Sequence, residues 1–291
     1  MPLDRLVAAA APAVFVVLWS TGFIGAKYGL PYAEPMTFLA LRMAIVVALL
    51  ALIAVAVGAR WPDRRETLHS IVTGSLVHGL YLGGVFVAMA QGVPAGISAL
   101  IPGLQPILTS TIANRWLGEK VGRLQWFGLI LGLIGVLMVL HDRTILGAGS
   151  VLGWSASVAS LIGITLGTLY QKRFGGRIDW RSGNLLQYAA AFVLFGLGAL
   201  MFETRAVHWN GEFVFALAWL VLVLSIGAVG LMYWLIRRAP ATGFASLFYL
   251  VPVVTALMAF LLFDERLDAL SVAGMVVCAA GVFIVSRARA A

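Results

Sequence analysis

The chain has 291 residues, 62% of them hydrophobic and only 11% charged, with a mean hydropathy of +0.99. Soluble domains carry about 25% charged residues, so water is not the main solvent of this chain. The net charge of +8 and the pI near 10.1 do not indicate nucleic acid, because the basic residues sit in short connections between apolar runs and not on one folded face. The single cysteine, Cys278, lies inside an apolar run and excludes an intrachain disulfide.

A membrane-spanning helix needs about 20 mostly apolar residues. Arg5 followed by the apolar run from Leu6 to Leu18 has the look of a secretory signal, but no small-residue cleavage site leads into a soluble domain. The first spanning helix is therefore expected at 12–29. Runs at 34–57, 68–91, 94–114 and 122–140 follow, then 150–172, 182–202, 212–236, 240–263 and 268–286. The expected fold is an all-α membrane protein with ten transmembrane helices. The longest connections, at 60–66, 173–181 and 203–212, are too short to form soluble domains.

Orientation follows from the loops, whose Lys and Arg residues concentrate on the cytoplasmic side. If the N-terminus is inside, 15 of the 20 basic residues fall in cytoplasmic segments, and only Lys27, Arg143, Arg205 and Arg266 face the other way. Arg42 lies within a helix. Both termini are thus expected in the cytoplasm, with the chain in the inner, or plasma, membrane.

The sequence also matches itself at an offset of 146 residues. Pro94, Ala95, Ala99, Leu104, Pro106, Thr109, Ala113 and Glu119 correspond to Pro240, Ala241, Ala245, Leu250, Pro252, Thr255, Ala259 and Glu265. Gly128, Gly135, Val136 and Val139 correspond to Gly274, Gly281, Val282 and Val285, and Lys27-Tyr28-Gly29 to Arg173-Phe174-Gly175. Apolar matches are cheap in such a chain, so the prolines, glutamates and glycines carry the weight. The expected organisation is a first five-helix repeat at 1–145 and a second at 146–291, in one integral membrane domain. Five is odd, so the second copy enters the membrane from the opposite side. Inverted repeats of this kind supply the two interconvertible halves of alternating-access transporters, with substrate near the midplane.

These residues resemble the drug/metabolite transporter superfamily, specifically its EamA-type exporters, over essentially the whole chain. The resemblance is carried by Leu18-Trp19-Ser20-Thr21-Gly22-Phe23, by Glu34-Pro35 with Leu41-Arg42, by Pro94-Ala95-Gly96, and by the Pro106…Leu117-Gly118-Glu119 and Pro252…Phe263-Asp264-Glu265 segments. Within the family the chain looks most like exporters of aromatic amino acids. The resemblance implies export of small amphipathic metabolites, aromatic or other amino acids among them.

Arg42 is the one strongly basic residue well inside a span, where a charge must face a cavity or a partner. Its guanidinium can hold a substrate carboxylate with two hydrogen bonds. The structural alternatives are a pair with Glu34 or snorkelling to the surface. The repeat puts Tyr188 at the equivalent position. His78, near the middle of the third span, can line the cavity or carry a proton, and its alternative is an interhelical hydrogen bond. Trp19, Trp154, Tyr81, Tyr188 and Tyr249 lie inside spans and not at their ends. They form either an aromatic cavity or ordinary bundle core. Gln105, beside the Pro106 bend, is the expected amide of that cavity.

Pro102, Pro106 and Pro252 fall within spans, where proline removes a hydrogen bond, and matched prolines in two halves read as hinges. Glu119 and Glu265 sit at helix ends, where a following helix dipole stabilises a carboxylate, and read as structural. The Gly128, Gly132 and Gly135 spacing reads as close helix packing.

No acidic residue lies in the middle of any span, so exchange of a proton for a cationic drug on a buried carboxylate is not expected. The expected mechanism is facilitated, gradient-driven efflux. The alternative is a proton-coupled multidrug or metabolite exporter using His78, and a more distant one is an intramembrane hydrolase built on Gly96-Ile97-Ser98 with His78 as base. No Walker loop or metal cluster is present, so neither a cofactor nor a metal is expected. The expected partners are a small-molecule substrate and the lipid bilayer.

Overall fold

The computed structural model describes residues 3–93, 95–139, 149–263 and 268–288, all of it helices and short connections. Runs of apolar residues form helices because lipid leaves backbone N–H and C=O groups no partner outside the chain. Short polar residues cap the starts of five of the helices. Asp63 accepts from the Arg65 and Glu66 amides in a capping box, Ser150 accepts from Gly153, Asp179 from Arg181, Asn210 from Phe213 and Asp268 from Ser271.

In chain order the helices are α1 (Leu3–Gly29), α2 (Pro35–Ala56), α3 (Arg64–Ala90), a broken α4, α5 (Arg123–Val139), α6 (Val151–Phe174), α7 (Trp180–Phe202), α8 (Gly211–Arg238), a broken α9, and α10 (Ala269–Arg287). The α4 segment consists of Ala95–Leu100, a 3₁₀ turn at Pro102–Leu104, and Gln105–Trp116. The α9 segment consists of Ala241–Ser246, a 3₁₀ turn at Leu247–Tyr249, and Leu250–Phe263.

Among the described residues, eight helices are long and apolar enough to cross a membrane. The run expected at 94–114 is not among them, because Pro102 and Pro106 break it into pieces. The run expected at 122–140 gives only a shorter apolar helix, Arg123–Met138, with residues 140–148 outside the described chain.

Many of the main contacts between helices recur when the two halves are exchanged. Helix α2 packs on α7, α4 on α9 and α5 on α10, while α3 on α6 is matched by α8 on α1, and α1 on α9 by α6 on α4. The irregular stretches repeat as well. π-helix occupies Ser75–Leu82 in α3 and Leu220–Ala228 in α8, and with the two 3₁₀ turns these fall within one residue of the 146 offset. Single π turns inside α-helices concentrate at functional sites.

Close approach of the helices depends on a few glycines. A Cβ on Gly135 would overlap the Cys278 backbone, and one on Gly128 would lie 2.8 Å from Gly281 O, so α5 and α10 meet backbone to backbone, as the glycine spacing predicts.

The connections meet in two groups. In one, Glu34 accepts from the Thr204 amide at 2.7 Å and hydroxyl at 2.6 Å and from the Arg205 amide, Glu203 accepts from Met36 and Thr37, and His208 N donates to Tyr32 O. These bonds, the one from the Thr204 hydroxyl foremost, hold the Glu34 carboxyl below the ordinary carboxylate pKa. In the other group, Ser182 Oγ donates to Arg60 O at 2.6 Å, Lys172 reaches Glu119 at 3.1 Å and the Ala239 carbonyl, and Arg173 donates to the Trp116 carbonyl.

Candidate functional site

Arg42 enters the interior from the second turn of α2 and is 1% exposed. Its Nε donates to Ser225 Oγ at 3.0 Å, and its Nη1 has no hydrogen-bond partner. Neither structural alternative is realised. Glu34 is committed to Thr204 and Arg205, and the guanidinium is too deep to snorkel. Among the described residues no Asp or Glu side chain is buried.

Ser225 lies in the π stretch of α8, and His78 in that of α3, so the two repeat-related irregularities both deliver groups to this place. His78 is 1% exposed and stacks on Tyr188 with ring centroids 4.1 Å apart, and neither of its ring nitrogens has a hydrogen-bond partner. Tyr188 Oη donates to the Ser225 carbonyl at 3.3 Å. One helix further round, Trp19 Nε1 donates to Tyr81 Oη at 3.1 Å over nearly parallel rings, and Phe248 meets the Trp19 indole edge-on. Trp19, Arg42, His78 and Tyr81 line one narrow cavity of about 20 Å³, bounded by Leu224 and Val229 from the second half. That volume holds about one water molecule, not a metabolite.

Three of the expected cavity residues lie elsewhere. Gln105 Nε2 donates to Thr168 Oγ1 at 3.0 Å, where α4 meets α6. Trp154 packs against Ala88 and Val93. Tyr249 packs on Gly132 in the α5–α9–α10 cluster, and its carbonyl accepts from Cys278 Sγ. Ser98, the nucleophile of the hydrolase alternative, is buried but does not line the cavity with His78.

Pro102 opens the 3₁₀ turn of α4 and Pro106 is the second residue of the helix after it, while Pro252 is the third residue of the helix after the equivalent turn in α9. Glu119 accepts from the Ala241 amide at 2.8 Å, so it caps the start of α9 in the other half instead of its own following helix. Glu265, its repeat counterpart, lies outside the described residues.

Ser225, which no sequence signal marks, joins the site through Arg42 and Tyr188, and a further polar chain begins at Gln187, the residue before Tyr188. Tyr233 Oη donates to Gln187 Oε1, and Gln187 Nε2 donates to Gln171 Oε1 at 3.3 Å, forming a polar chain beside Tyr188. The one signal that pointed there was the intramembrane amide next to Tyr188.

Residues 7–141 and 151–287 each match the EamA-like transporter family. The chain belongs to that family. This EamA-like transporter is 26% identical to the "Uncharacterized transporter YvbV" of Bacillus subtilis (strain 168), over 94% of this chain and 90% of that one. It is 25% identical to the "Probable amino-acid metabolite efflux pump" of Escherichia coli (strain K12), over 92% and 91% of the two chains. It is also 25% identical to the "Uncharacterized inner membrane transporter YedA" of the same organism, over 87% and 81%. A protein of known crystal structure, 20% identical, shares its fold with a TM-score of 0.77 over 94% of each chain. As a member, this EamA-like chain is a multi-pass membrane transporter.

Proposed function

We propose that this EamA-like transporter exports small amphipathic metabolites, aromatic or other amino acids among them, by alternating access and facilitated efflux. The observation that carries the reading is Arg42, buried and with Nη1 unpartnered, in an aromatic cavity between the two halves. An amphipathic metabolite needs apolar surface for its body and a few polar groups for its charged end. Trp19, Tyr81 and Tyr188 offer the first, Arg42 and His78 the second. Support for the substrate class comes from the relative named as an amino-acid metabolite efflux pump. Gln105, Trp154 and Tyr249 remain in the reading as residues that reach substrate only when the bundle opens. In proteoliposomes, labelled amino acid should show saturable efflux and counter-transport; flux that neither saturates nor exchanges would mean a pore.

The proposed topology is ten crossings as inverted repeats at 1–145 and 146–291, with both termini cytoplasmic. It rests on the offset of 146, on the exchange-symmetric contacts, and on the two groups of connections. Cysteines at Arg64 and Arg177 should be labelled from the cytoplasm only, and one at Arg205 from outside only. Labelling of Arg64 and Arg205 from one side would remove the inverted arrangement.

Pro102, Pro106 and Pro252 act as hinges in this reading, because Pro102 lies in a 3₁₀ turn and the other two lie in the first turn of the helix after one, where backbone can rotate without losing a regular ladder. Pro106→Ala or Pro252→Ala should slow maximal transport more than it weakens binding. Lost binding at an unchanged maximal rate would count against hinges. The second reading, proton coupling through His78, is favoured by its two unpartnered ring nitrogens, and predicts that a pH gradient alone drives accumulation.

A further inference from the structure

The charge of the ligand follows from what surrounds Arg42, granted the reading of its cavity as the substrate site. A guanidinium stays protonated in a protein, so the site carries a fixed positive charge. Arg42 is the one side chain with a formal charge among those lining the cavity; His78 can only add a positive charge, and Tyr81 is a phenol, neutral near pH 7. The acceptor on the guanidinium is the Ser225 hydroxyl, and Nη1 has none.

A carboxylate supplies the missing negative charge and acceptor. A zwitterion does so as well, but its ammonium then brings back an uncompensated positive charge. The acceptors within the site are neutral: the Ser225 carbonyl, which already accepts from Tyr188, phenol oxygens, and one imidazole nitrogen. Buried charge without a counter-charge is strongly disfavoured. An organic cation fares worse than either.

We propose that the Arg42 cavity selects organic monoanions, amphipathic carboxylates whose amine is absent or acylated, over the matching zwitterions. Arg42 Nη1 donates to one carboxylate oxygen, and the N–H of neutral His78 is the nearby donor for the other. Transport is then electrogenic. The loaded site is neutral and returns empty with its positive charge, so an inside-negative potential drives the anion out, by roughly 50-fold in concentration ratio per 100 mV at equilibrium.

The test uses the purified full chain and three ligands of one skeleton: N-acetylphenylalanine (anion), phenylalanine (zwitterion) and phenethylamine (cation). Calorimetry in detergent should rank them in that order, with a gap of about tenfold or more between the first two. In proteoliposomes, a valinomycin-clamped inside-negative potential should speed efflux of N-acetylphenylalanine. Arg42→Gln should abolish the ranking, and Arg42→Lys, which keeps the charge, should retain it with weaker binding. Phenylalanine binding as tightly as its acetylated form, or efflux of the anion indifferent to potential, overturns the anion selectivity and leaves the substrate site intact. If a folded Arg42→Gln protein binds all three as the native chain does, the reading of the cavity as the substrate site falls as well.

Discussion

Arg42→Gln is expected to reduce transport of tryptophan roughly 10- to 150-fold, the loss of one charge-assisted hydrogen bond, while changing transport of the decarboxylated amine tryptamine little. The glutamine side chain ends where Arg42 Nε sits and so keeps a donor for Ser225, while the charge and the Nη donors beyond it are lost. Equal losses for both compounds would demote Arg42 to structure. Thermal stability gives a second, independent readout. Truncating one partner of a buried ion pair destabilises by about 3–5 kcal/mol, because the other charge is stranded. Arg42 strands nothing of opposite charge, since among the described residues no carboxylate is buried. Its removal should leave the melting temperature of the empty protein unchanged or raise it. A site kept for its ligand and not for the fold behaves in that way.

Much of this was legible from residue type alone. Lipid makes a buried arginine or histidine expensive, so Arg42 and His78 stand out in a sequence that is 62% hydrophobic, and the repeat pointed from Arg42 to Tyr188. The structure brings these three together with Trp19 and Tyr81. Which way a helix faces was not legible. In a soluble helix the apolar stripe marks the buried side, but a helix apolar all round carries no such mark. Depth alone groups Gln105, Trp154 and Tyr249 with the cavity, whereas in the closed bundle each faces a different interface. The same ambiguity hid Ser225, a small residue in an apolar run whose importance comes from the π stretch that presents it. The chain neighbours of Glu119 point to its own following helix, whereas its partners Ala241 and Lys172 come from the other half. Helix count suffered where proline and loop residues interrupt apolar runs, at α4 and α5.

Gly74→Ala is expected to destabilise the bundle and to weaken binding together, although Gly74 does not line the cavity. A Cβ there would overlap the carbonyl and Cα of Gln187, so α3 and α7 touch through backbone and no side chain can turn aside. Overpacking of this kind costs about 1–3 kcal/mol. Relief comes by pushing α7 outward, and Tyr188, the next residue, moves with it off the His78 ring, 4.1 Å away. Gly163 holds the same π stretch from the α6 side, its Cβ position lying 2.7 Å from Tyr81 N and 2.8 Å from Leu76 O. Gly163→Ala should thus disturb Tyr81 and its bond from Trp19. Gly196 in α7 is the internal control, with nothing within 4 Å of its Cβ position. Alanine there removes only the entropic penalty of a helical glycine and should be neutral or stabilising by about 0.5–1 kcal/mol. Thermal melting and ligand binding of the three variants check the argument. If Gly74→Ala melts and binds like Gly196→Ala, the backbone contact between α3 and α7 does not set the geometry of the site.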